Sequence, residues 1–282
     1  MSRRIDLSNQ EEVPTVTDEH DVDLGNILRS QDAQPDETRV GQDYLHVSAL
    51  LGGFCARREW LKRNVGYQHN NQVSGGMRIV WALGRAAETH VRDQLLKTMR
   101  GNAWGRWGCT HCDAIDGARM YRANTGHSDL CEGTLDVYHE PQLIDERNKI
   151  TGSTDFVWQH RGKLNIIEIK SMNKKEFDTM TRVKGDHMNQ AEVYRYLLVK
   201  NGHQVDRADV IVVAKDFVFG SPYKVYASDK NPDARPRVSL LIEDAARDAM
   251  QEDMPNKLPQ CSARDSSRAR GCEACSLCFD IS

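Results

Sequence analysis

The sequence lacks a long apolar run, a signal-like amino terminus and an excess of positive charge. No apolar stretch is long enough to cross a bilayer, which argues against a membrane protein. The amino terminus is polar and charged, so we expect a cytoplasmic protein whose thiols stay reduced. The formal net charge is -3, so total charge does not indicate nucleic-acid binding. Phosphate binding would depend on local basic clusters, such as the one from Lys174 to Lys184.

The composition that is present supports a folded domain with a separate tail. The chain has 282 residues, of which 39% are hydrophobic, which is enough for one large domain. Residues 1–42 are polar and acidic without hydrophobic periodicity, so we predict a disordered tail there. We assign residues 43–282 to one domain, with a cysteine-rich insertion at 104–132 and a second cysteine-rich segment at 255–282.

An apolar run that contains charges is the most informative pattern in the chain. The run from Leu164 to Ile169 predicts a buried strand. Residues two apart on a strand point to the same face, so Glu168 and Lys170 project together. Ile167 and Ile169 then face a core on the other side. The alternative is a surface hairpin with a Glu–Lys ion pair, but charges inside an apolar run usually have a function.

Asp155, which follows Gly152-Ser153-Thr154, supplies a second acid. Carboxylate oxygens such as those of Asp155 and Glu168 suit Mg²⁺ or Mn²⁺. A bound divalent ion lowers the pKa of water and neutralises charge at phosphorus, and Lys170 adds a positive charge for the transition state. These residues predict a metal site for phosphodiester hydrolysis. Asp136 is a weaker alternative to Asp155, because it is less well spaced from the Glu-x-Lys motif.

Two further motifs lie on predicted helices. Gln190 and Tyr194 are four residues apart, so they share one face of a helix predicted over Met188–Lys200. Upstream, the segment Gly84–Glu88 lies within a helix predicted over Met77–Met99.

In this order, the motifs G-x-x-x-E, G-x-x-D, E-x-K and Q-x-x-x-Y resemble those of the PD-(D/E)XK nuclease superfamily. The resemblance covers residues 46–282 and is closest to the RecB-like branch. That branch includes the nuclease domain of AddB and the iron–sulfur-containing CRISPR-associated RecB-like exonucleases. The resemblance implies a restriction-endonuclease-like α/β core, in which helices flank a mixed central sheet. Thr154 stands where the family name has proline, a frequent change in this branch.

The resemblance also implies roles for individual residues. One group would bind Mg²⁺ or Mn²⁺: Glu88, Asp155, Glu168 and the carbonyl of Ile169. An overlapping group would take part in catalysis: Asp155, Glu168, Lys170, Gln190 and Tyr194. Within that group, Lys170 would assist the attacking water, while Gln190 and Tyr194 would position Lys170 and the DNA backbone.

Glu88 has a rival in His90 as the helical ligand. The RecB-like branch usually has a histidine at the position of Glu88, whereas lambda-type exonucleases have a glutamate. Glu88 shares its helix face with Trp81 and Val91, so we expect that face to be buried against the sheet. The face of His90 includes several charged residues and is expected to be half exposed. We therefore prefer Glu88.

Cysteines in a chain expected to stay reduced predict metal ligands rather than disulfides. Five of the eight lie near the two ends of the domain: Cys55, Cys261, Cys272, Cys275 and Cys278. The iron–sulfur relatives have one cysteine before the core and three after it, so the resemblance implies a [4Fe–4S] cluster on four of these five. The spacing does not decide which cysteine is spare. A zinc site built from the four carboxy-terminal cysteines is the alternative.

The remaining three cysteines predict a separate zinc site. A C-x-x-C motif followed by an H-x-x-x-C motif suits a tetrahedral ion, with the ligands Cys109, Cys112, His127 and Cys131. His111 is an alternative to His127, and free thiols are the alternative to a site. Trp104 and Trp107 beside this motif could stack on bases, but we expect them to pack the insertion.

The rest of the pattern alternates between helices and strands. Further helices are predicted at Ser48–Asn64 and Ser239–Asp253, and strands at Leu135–Leu143, Gly152–His160, Lys163–Ser171, Ala208–Ala214 and Tyr223–Ala227. Helices before and after a mixed sheet indicate an α/β fold.

Together these patterns predict a Mg²⁺- or Mn²⁺-dependent DNase. We expect an exonuclease that acts on DNA ends or single strands in DNA replication, recombination or repair. The alternatives are a non-catalytic or partner-dependent DNA-binding subunit of a recombination complex, and a nuclease that acts on RNA. DNA is the expected partner, with a helicase or recombination protein and self-association as further options. The expected location is the bacterial cytoplasm, or the host cytoplasm for a phage protein.

Overall fold

The computed structural model describes residues 43–51, 53–65, 75–216, 220–228 and 234–281. The predicted tail, residues 1–42, lies outside these ranges. Within them, no helix is both long and apolar enough to cross a membrane.

The helices and strands alternate along the chain. The helices are α1 (Val47–Leu50), α2 (Ala56–Asn64), α3 (Gly75–Met99), α4 (Lys174–Thr179), α5 (Gly185–Lys200), α6 (Ala234–Met250), α7 (Ser267–Arg270) and α8 (Cys275–Asp280). The strands are β1 (Leu45–His46), β2 (Ala103–Cys109), β3 (Arg119–Met120), β4 (Leu135–His139), β5 (Gln142–Asp145), β6 (Ile150–Ser153), β7 (Phe156–His160), β8 (Lys163–Met172), β9 (Val205–Ala214) and β10 (Tyr223–Ala227). Short 3₁₀ turns precede β2 and α7.

A mixed sheet forms the centre of the fold. Its strand order is β10-β9-β8-β7-β2-β3, and β4 pairs with the second half of β2. Strands β8 and β9 are parallel, whereas β7 with β8 and β9 with β10 are antiparallel. A smaller sheet has the order β1-β6-β5. Helices flank the large sheet, so the predicted α/β fold with a mixed central sheet is confirmed.

The two faces of β8 bury different cores. On one face, Ile166 joins a cluster with residues of α5 and α6, including Leu197 and Ile242. On the opposite face, Ile167 and Ile169 join a cluster that includes Val91 of α3. The prediction that Ile167 and Ile169 face a core is confirmed. The large sheet is therefore covered by α3 on one side and by α5 and α6 on the other.

Three elements that were predicted to be continuous are each divided into two in the structure. The helix predicted over Ser48–Asn64 is two helices, because the backbone is already extended at Leu51 and Gly53 then adopts φ +108°, a conformation that favours glycine. The strand predicted over Leu135–Leu143 is split into β4 and β5 at Pro141, which has no N–H for a ladder. The strand predicted over Gly152–His160 is split into β6 and β7, because the chain passes there from the small sheet to the large one. The helix predicted over Ser239–Asp253 begins earlier and ends earlier, as α6.

The insertion at 104–132, predicted to lie between the Glu88 helix and the sheet, begins inside the large sheet rather than before it. Residues 103–109 form strand β2. The sequence did not indicate this strand, because its tryptophans alternate with glycines and glycine is unfavourable in strands. A side chain at Gly105 would collide with the ring of Tyr138 on β4, so glycine is needed where the two strands pack. Trp107 is fully buried and Trp104 nearly so, which confirms packing rather than base stacking for both.

Candidate active site and metal centres

Glu168 and Lys170 lie at the carboxyl end of β8 and touch each other. The distance from Lys170 Nζ to Glu168 Oε1 is 2.6 Å, which confirms that the two side chains share one face. The Glu168 side chain is only 3% exposed, against 24% for Lys170. Burial raises the pKa of Glu168, and the nearby Asp155 carboxylate raises it further. Burial alone would lower the pKa of Lys170, but the carboxylates of Glu168, Asp155 and Glu88 together outweigh it and the pKa is raised.

Asp155 lies in the connection just before β7 and reaches across to β8. Its Oδ2 accepts a hydrogen bond of 2.6 Å from the backbone N–H of Ile169. Burial raises the pKa of Asp155 to about 7, although this N–H and the Lys170 charge act in the opposite direction. The split between β6 and β7 thus places the predicted acid beside the Glu-x-Lys strand, where pairing with β7 has ended.

Helix α3 reaches the same strand end through the Gly84–Glu88 motif. A Cβ at Gly84 would lie 2.8 Å from Ser171 Oγ, so the helix packs directly on β8 at this point. One turn later, Glu88 Oε1 accepts hydrogen bonds from the Ser171 backbone N–H (3.2 Å) and Oγ (3.0 Å). His90 is exposed. Trp81, predicted on the buried face, is 43% exposed, because it lies one turn before the helix meets β8.

Gln190 and Tyr194 lie on α5, on the other side of the sheet. Gln190 Nε2 donates a hydrogen bond of 3.0 Å to the Tyr194 hydroxyl, as expected for one helix face. The Tyr194 ring is buried, and burial together with the Glu168 charge raises its pKa. A Cβ at Gly152 would lie 2.9 Å from Tyr194 Cε1, so the glycine of the G-x-x-D motif leaves room for this ring.

Glu140, just after β4, is an acid near the site that sequence reasoning missed. Its charge raises the pKa of both Asp155 and Glu168. Arg92, one turn beyond Glu88 on α3, holds it through an ion pair of 2.6 Å. No motif marks Glu140, because only the pairing of β4 with β2 brings it there. Asp136, the alternative to Asp155, lies at the other end of β4, where its carboxylate accepts hydrogen bonds from Tyr121 and Thr134.

The acids fit a hard divalent cation. Within the described residues, Glu168 Oε2 is buried and has no hydrogen-bond partner. An orphaned buried carboxylate oxygen is costly unless a cation or a donor compensates it. All the donors are oxygens, as Mg²⁺ and Mn²⁺ prefer. Glu88, Asp155, Glu168 and the Ile169 carbonyl are the residues that would hold such an ion.

The five cysteines near the domain ends line one cavity, together with Arg57, Arg58 and Lys257: Cys55, Cys261, Cys272, Cys275 and Cys278. Burial raises the pKa of Cys55 and of Cys261, and the charges of Cys272 and Cys278 raise both further. The Cys275 thiol instead faces the carbonyl of Arg264, at 3.7 Å.

Backbone contacts hold this cavity together. The buried Arg57 guanidinium donates hydrogen bonds to the carbonyls of Pro255 (3.0 Å), Cys278 (3.1 Å) and Ile281 (2.6 Å). Lys62 forms an ion pair of 2.9 Å with Glu273. Helix α2, which precedes the large sheet, is thereby joined to the segment that follows α6.

The third candidate centre is far more compact. Among the described residues, the only set of at least three His, Cys, Asp or Glu ligand atoms that all lie within 4.8 Å of one another is Cys109, Cys112, His127 and Cys131. These are the four predicted zinc ligands. His111, the alternative to His127, is not among them.

Comparison with known proteins identifies the family. Residues 119–279, more than half of the chain, match the family model described as the PD-(D/E)XK nuclease superfamily. The chain therefore belongs to the PD-(D/E)XK nuclease superfamily. No curated protein sequence matches it.

Several solved structures are similar. The structure titled SSO0001 has 14% identity and a TM-score of 0.40, over 82% of this chain and 85% of that one. An alkaline exonuclease from Laribacter hongkongensis has 13% identity and a TM-score of 0.43, over 74% of this chain and 88% of that one. The same exonuclease in complex with dAMP has 11% identity and a TM-score of 0.45, with the same coverage.

Proposed function

We propose that this chain is a Mg²⁺- or Mn²⁺-dependent deoxyribonuclease that works as an exonuclease in DNA replication, recombination or repair. The observation that carries the proposal is the state of Glu168. Its carboxylate is buried, one oxygen pairs with Lys170, and the other has no partner within the described residues. A purely structural strand gains nothing from such a group, because burial of an incompletely paired charge destabilises the fold.

The proposed metal ligands are Glu88, Asp155, Glu168 and the Ile169 carbonyl. In an antiparallel ladder, the N–H and C=O of one residue point to the same side. Since the Ile169 N–H points to Asp155, the Ile169 carbonyl lies on that side too. A divalent ion held there would activate water and neutralise charge on the scissile phosphate. Its own positive charge would also keep Asp155 and Glu168 ionised.

Lys170 acts as a cation rather than as a base. Its raised pKa keeps it protonated near neutral pH, so it donates hydrogen bonds. It orients the attacking water and offsets the charge that develops on the phosphoryl oxygens. The Gln190–Tyr194 pair on α5 lies near enough to Glu168 for that charge to raise the pKa of Tyr194, and it positions Lys170 and the DNA backbone. Tyr194 also keeps its proton, because burial raises its pKa.

For the cavity at the domain ends we propose a [4Fe–4S] cluster on Cys55, Cys261, Cys272 and Cys278. Tetrahedral zinc would draw its sulfurs to about 3.8 Å from one another. No three ligand atoms among the described cysteines of this cavity lie within 4.8 Å of one another. Wider sulfur separations are compatible with a larger cluster, and the cations Arg57, Arg58 and Lys257 would offset its negative charge. Cys275 is the spare thiol in this proposal. Membership of the RecB-like branch, on which the cluster was first predicted, stays a prediction.

A digestion assay tests the function. Iron-replete protein is given Mg²⁺ or Mn²⁺ with end-labelled linear and closed circular DNA, single- and double-stranded, and with RNA of the same sequence. We expect metal-dependent shortening of linear DNA only. Cutting of circles would replace the exonuclease proposal with an endonuclease, and cutting of RNA alone would overturn the DNA assignment. A gel shift without cutting would favour the non-catalytic DNA-binding subunit.

A further inference from the structure

The ligand atoms of Cys109, Cys112, His127 and Cys131 all lie within 4.8 Å of one another, and three of their six separations are those of a zinc tetrahedron. The Cys109 and Cys131 sulfurs are 3.6 Å apart, and those of Cys131 and Cys112 are 3.8 Å apart. Cys112 Sγ lies 3.4 Å from His127 Nε2. With Zn–S near 2.3 Å and Zn–N near 2.0 Å, a tetrahedral site requires ligand separations of about 3.5 to 3.8 Å. The thiolate and imidazole donors also suit zinc rather than magnesium.

We propose that these four residues bind one Zn²⁺ in a closed structural site that fixes β4 against β2. All four positions of the tetrahedron are filled by protein, which leaves no position for water or substrate. Two neighbouring residues support the position of the Cys109 sulfur. The His111 backbone N–H donates a hydrogen bond of 3.3 Å to Cys109 Sγ, and such outer contacts orient metal ligands. A side chain at Gly133 would collide with the Cys109 sulfur.

The proposed zinc site joins β2 to β4, and residues on β4 and just after it lie beside the proposed nuclease site. Cys109 is the last residue of β2, and β4 begins at Leu135, four residues after Cys131. Further along β4, the Tyr138 ring packs against Phe156 at 5.5 Å between centroids. Phe156 directly follows Asp155, and Glu140 follows the end of β4. An ion that holds the start of β4 therefore also fixes the strand that supports these acids.

The net negative charge of residues 110–134 argues against contact between the proposed zinc site and DNA. Four acids lie on residues 110–134: Asp113, Asp116, Asp129 and Glu132. Arg119 and Arg122 are the only arginines there, and the segment has no lysine. Three thiolates around one Zn²⁺ add a further net negative charge. Such a surface repels phosphate, so the role that remains is structural.

A histidine pair tests the site. Zinc and iron are measured by elemental analysis in wild-type protein and in the variants His127→Ala and His111→Ala, all grown with both metals. We expect one zinc per chain in wild type and in His111→Ala, loss of that zinc in His127→Ala, and unchanged iron in all three. A lower unfolding temperature should accompany the loss. Equal zinc in wild type and His127→Ala would overturn the proposal, and so would wild-type protein without zinc.

X-ray absorption at the zinc edge of the wild-type protein gives a readout that does not depend on how a variant folds. The proposed site predicts three sulfurs and one nitrogen around zinc. A shell of four sulfurs would overturn the proposal and move the ion to the carboxy-terminal cysteines. Neither measurement uses nuclease activity, so failure of the proposed function would leave both results interpretable.

Discussion

The carboxylate site and the proposed zinc site are two candidate metal sites, but they are built in opposite ways. At the proposed zinc site, four candidate ligand atoms all lie within 4.8 Å of one another, with supporting contacts around them. At the carboxylate site, the acids approach from different elements. Asp155 has a raised pKa, and Glu168 keeps an oxygen without a partner within the described residues.

The two kinds of site contribute to the free energy of folding in different ways. A closed thiolate site contributes binding energy directly to folding. An open carboxylate site costs stability until a cation arrives, because buried like charges raise one another's pKa. That cost is expected where chemistry needs an exchangeable ion and room for substrate.

We expect the largest effect in the carboxy-terminal cavity, where loss of a proposed cluster ligand should differ from loss of Cys275, the proposed spare thiol. We expect Cys272→Ser to lose the cluster and to be markedly less stable, because cluster binding is linked to folding. Cys275→Ser should keep the wild-type iron content, since its thiol faces the Arg264 carbonyl. Iron analysis and the visible absorption of the cluster measure both. Loss of iron in Cys275→Ser, with retention in Cys272→Ser, would reverse the assignment.

A smaller effect should appear in the pH dependence of stability without divalent ions. The folded pKa of Asp155 is raised to about 7, above an unfolded value of about 3.9. The folded state then binds more protons, so the free energy of unfolding falls as pH rises from about 4 to about 7, by at most about 1.4 kcal/mol per pH unit for this carboxyl. Added Mg²⁺ should restore stability at the alkaline end.

Asp155→Asn should flatten this decline, as measured by urea unfolding at several pH values. Asp136→Asn is the control, because the pKa of Asp136 is lowered whereas that of Asp155 is raised. Hydrogen bonds from Thr134 and Tyr121 lower the pKa of Asp136, so its loss should destabilise the protein at neutral pH. A decline that Asp155→Asn leaves unchanged would contradict the open-site description.

The smallest effect compares two glycines of α3. Gly84→Ala places a Cβ 2.8 Å from Ser171 Oγ and should cost about 1–3 kcal/mol while displacing Glu88. Gly76→Ala has nothing within 4 Å among the described residues and should be neutral or stabilising by up to about 1 kcal/mol. Denaturant unfolding and nuclease rate measure the pair. Equal stability and nuclease rate in the two variants would contradict the close packing of α3 on β8.

Sequence patterns predicted the central strand and the placement of its charged and apolar side chains well, because the information there is local. The period of two in β8 was enough to place Glu168 with Lys170 and to bury Ile167 and Ile169. The spacing of Gln190 and Tyr194 was likewise enough for their hydrogen bond.

Features that depend on strand exchange or on close packing could not be predicted in this way. Strand β2 was missed because Gly105 and Gly108 make room for the rings of Tyr138 and His139, which lie far along the chain. Glu140 was missed because β4 places it, and no short motif marks it. The break before Asp155 arises where the chain changes sheets, and an apolar pattern shows no such change.

The most direct test of the nuclease proposal is the digestion assay with Lys170→Ala and Lys163→Ala side by side. Both lysines lie on β8, but Lys163 is at its far end in a surface ion pair with Asp206. With iron content and unfolding temperature unchanged, we expect Lys170→Ala to lose at least about 100-fold in rate, because transition-state charge is no longer offset. Lys163→Ala should cut like wild type. Full activity in Lys170→Ala would contradict the proposed active site.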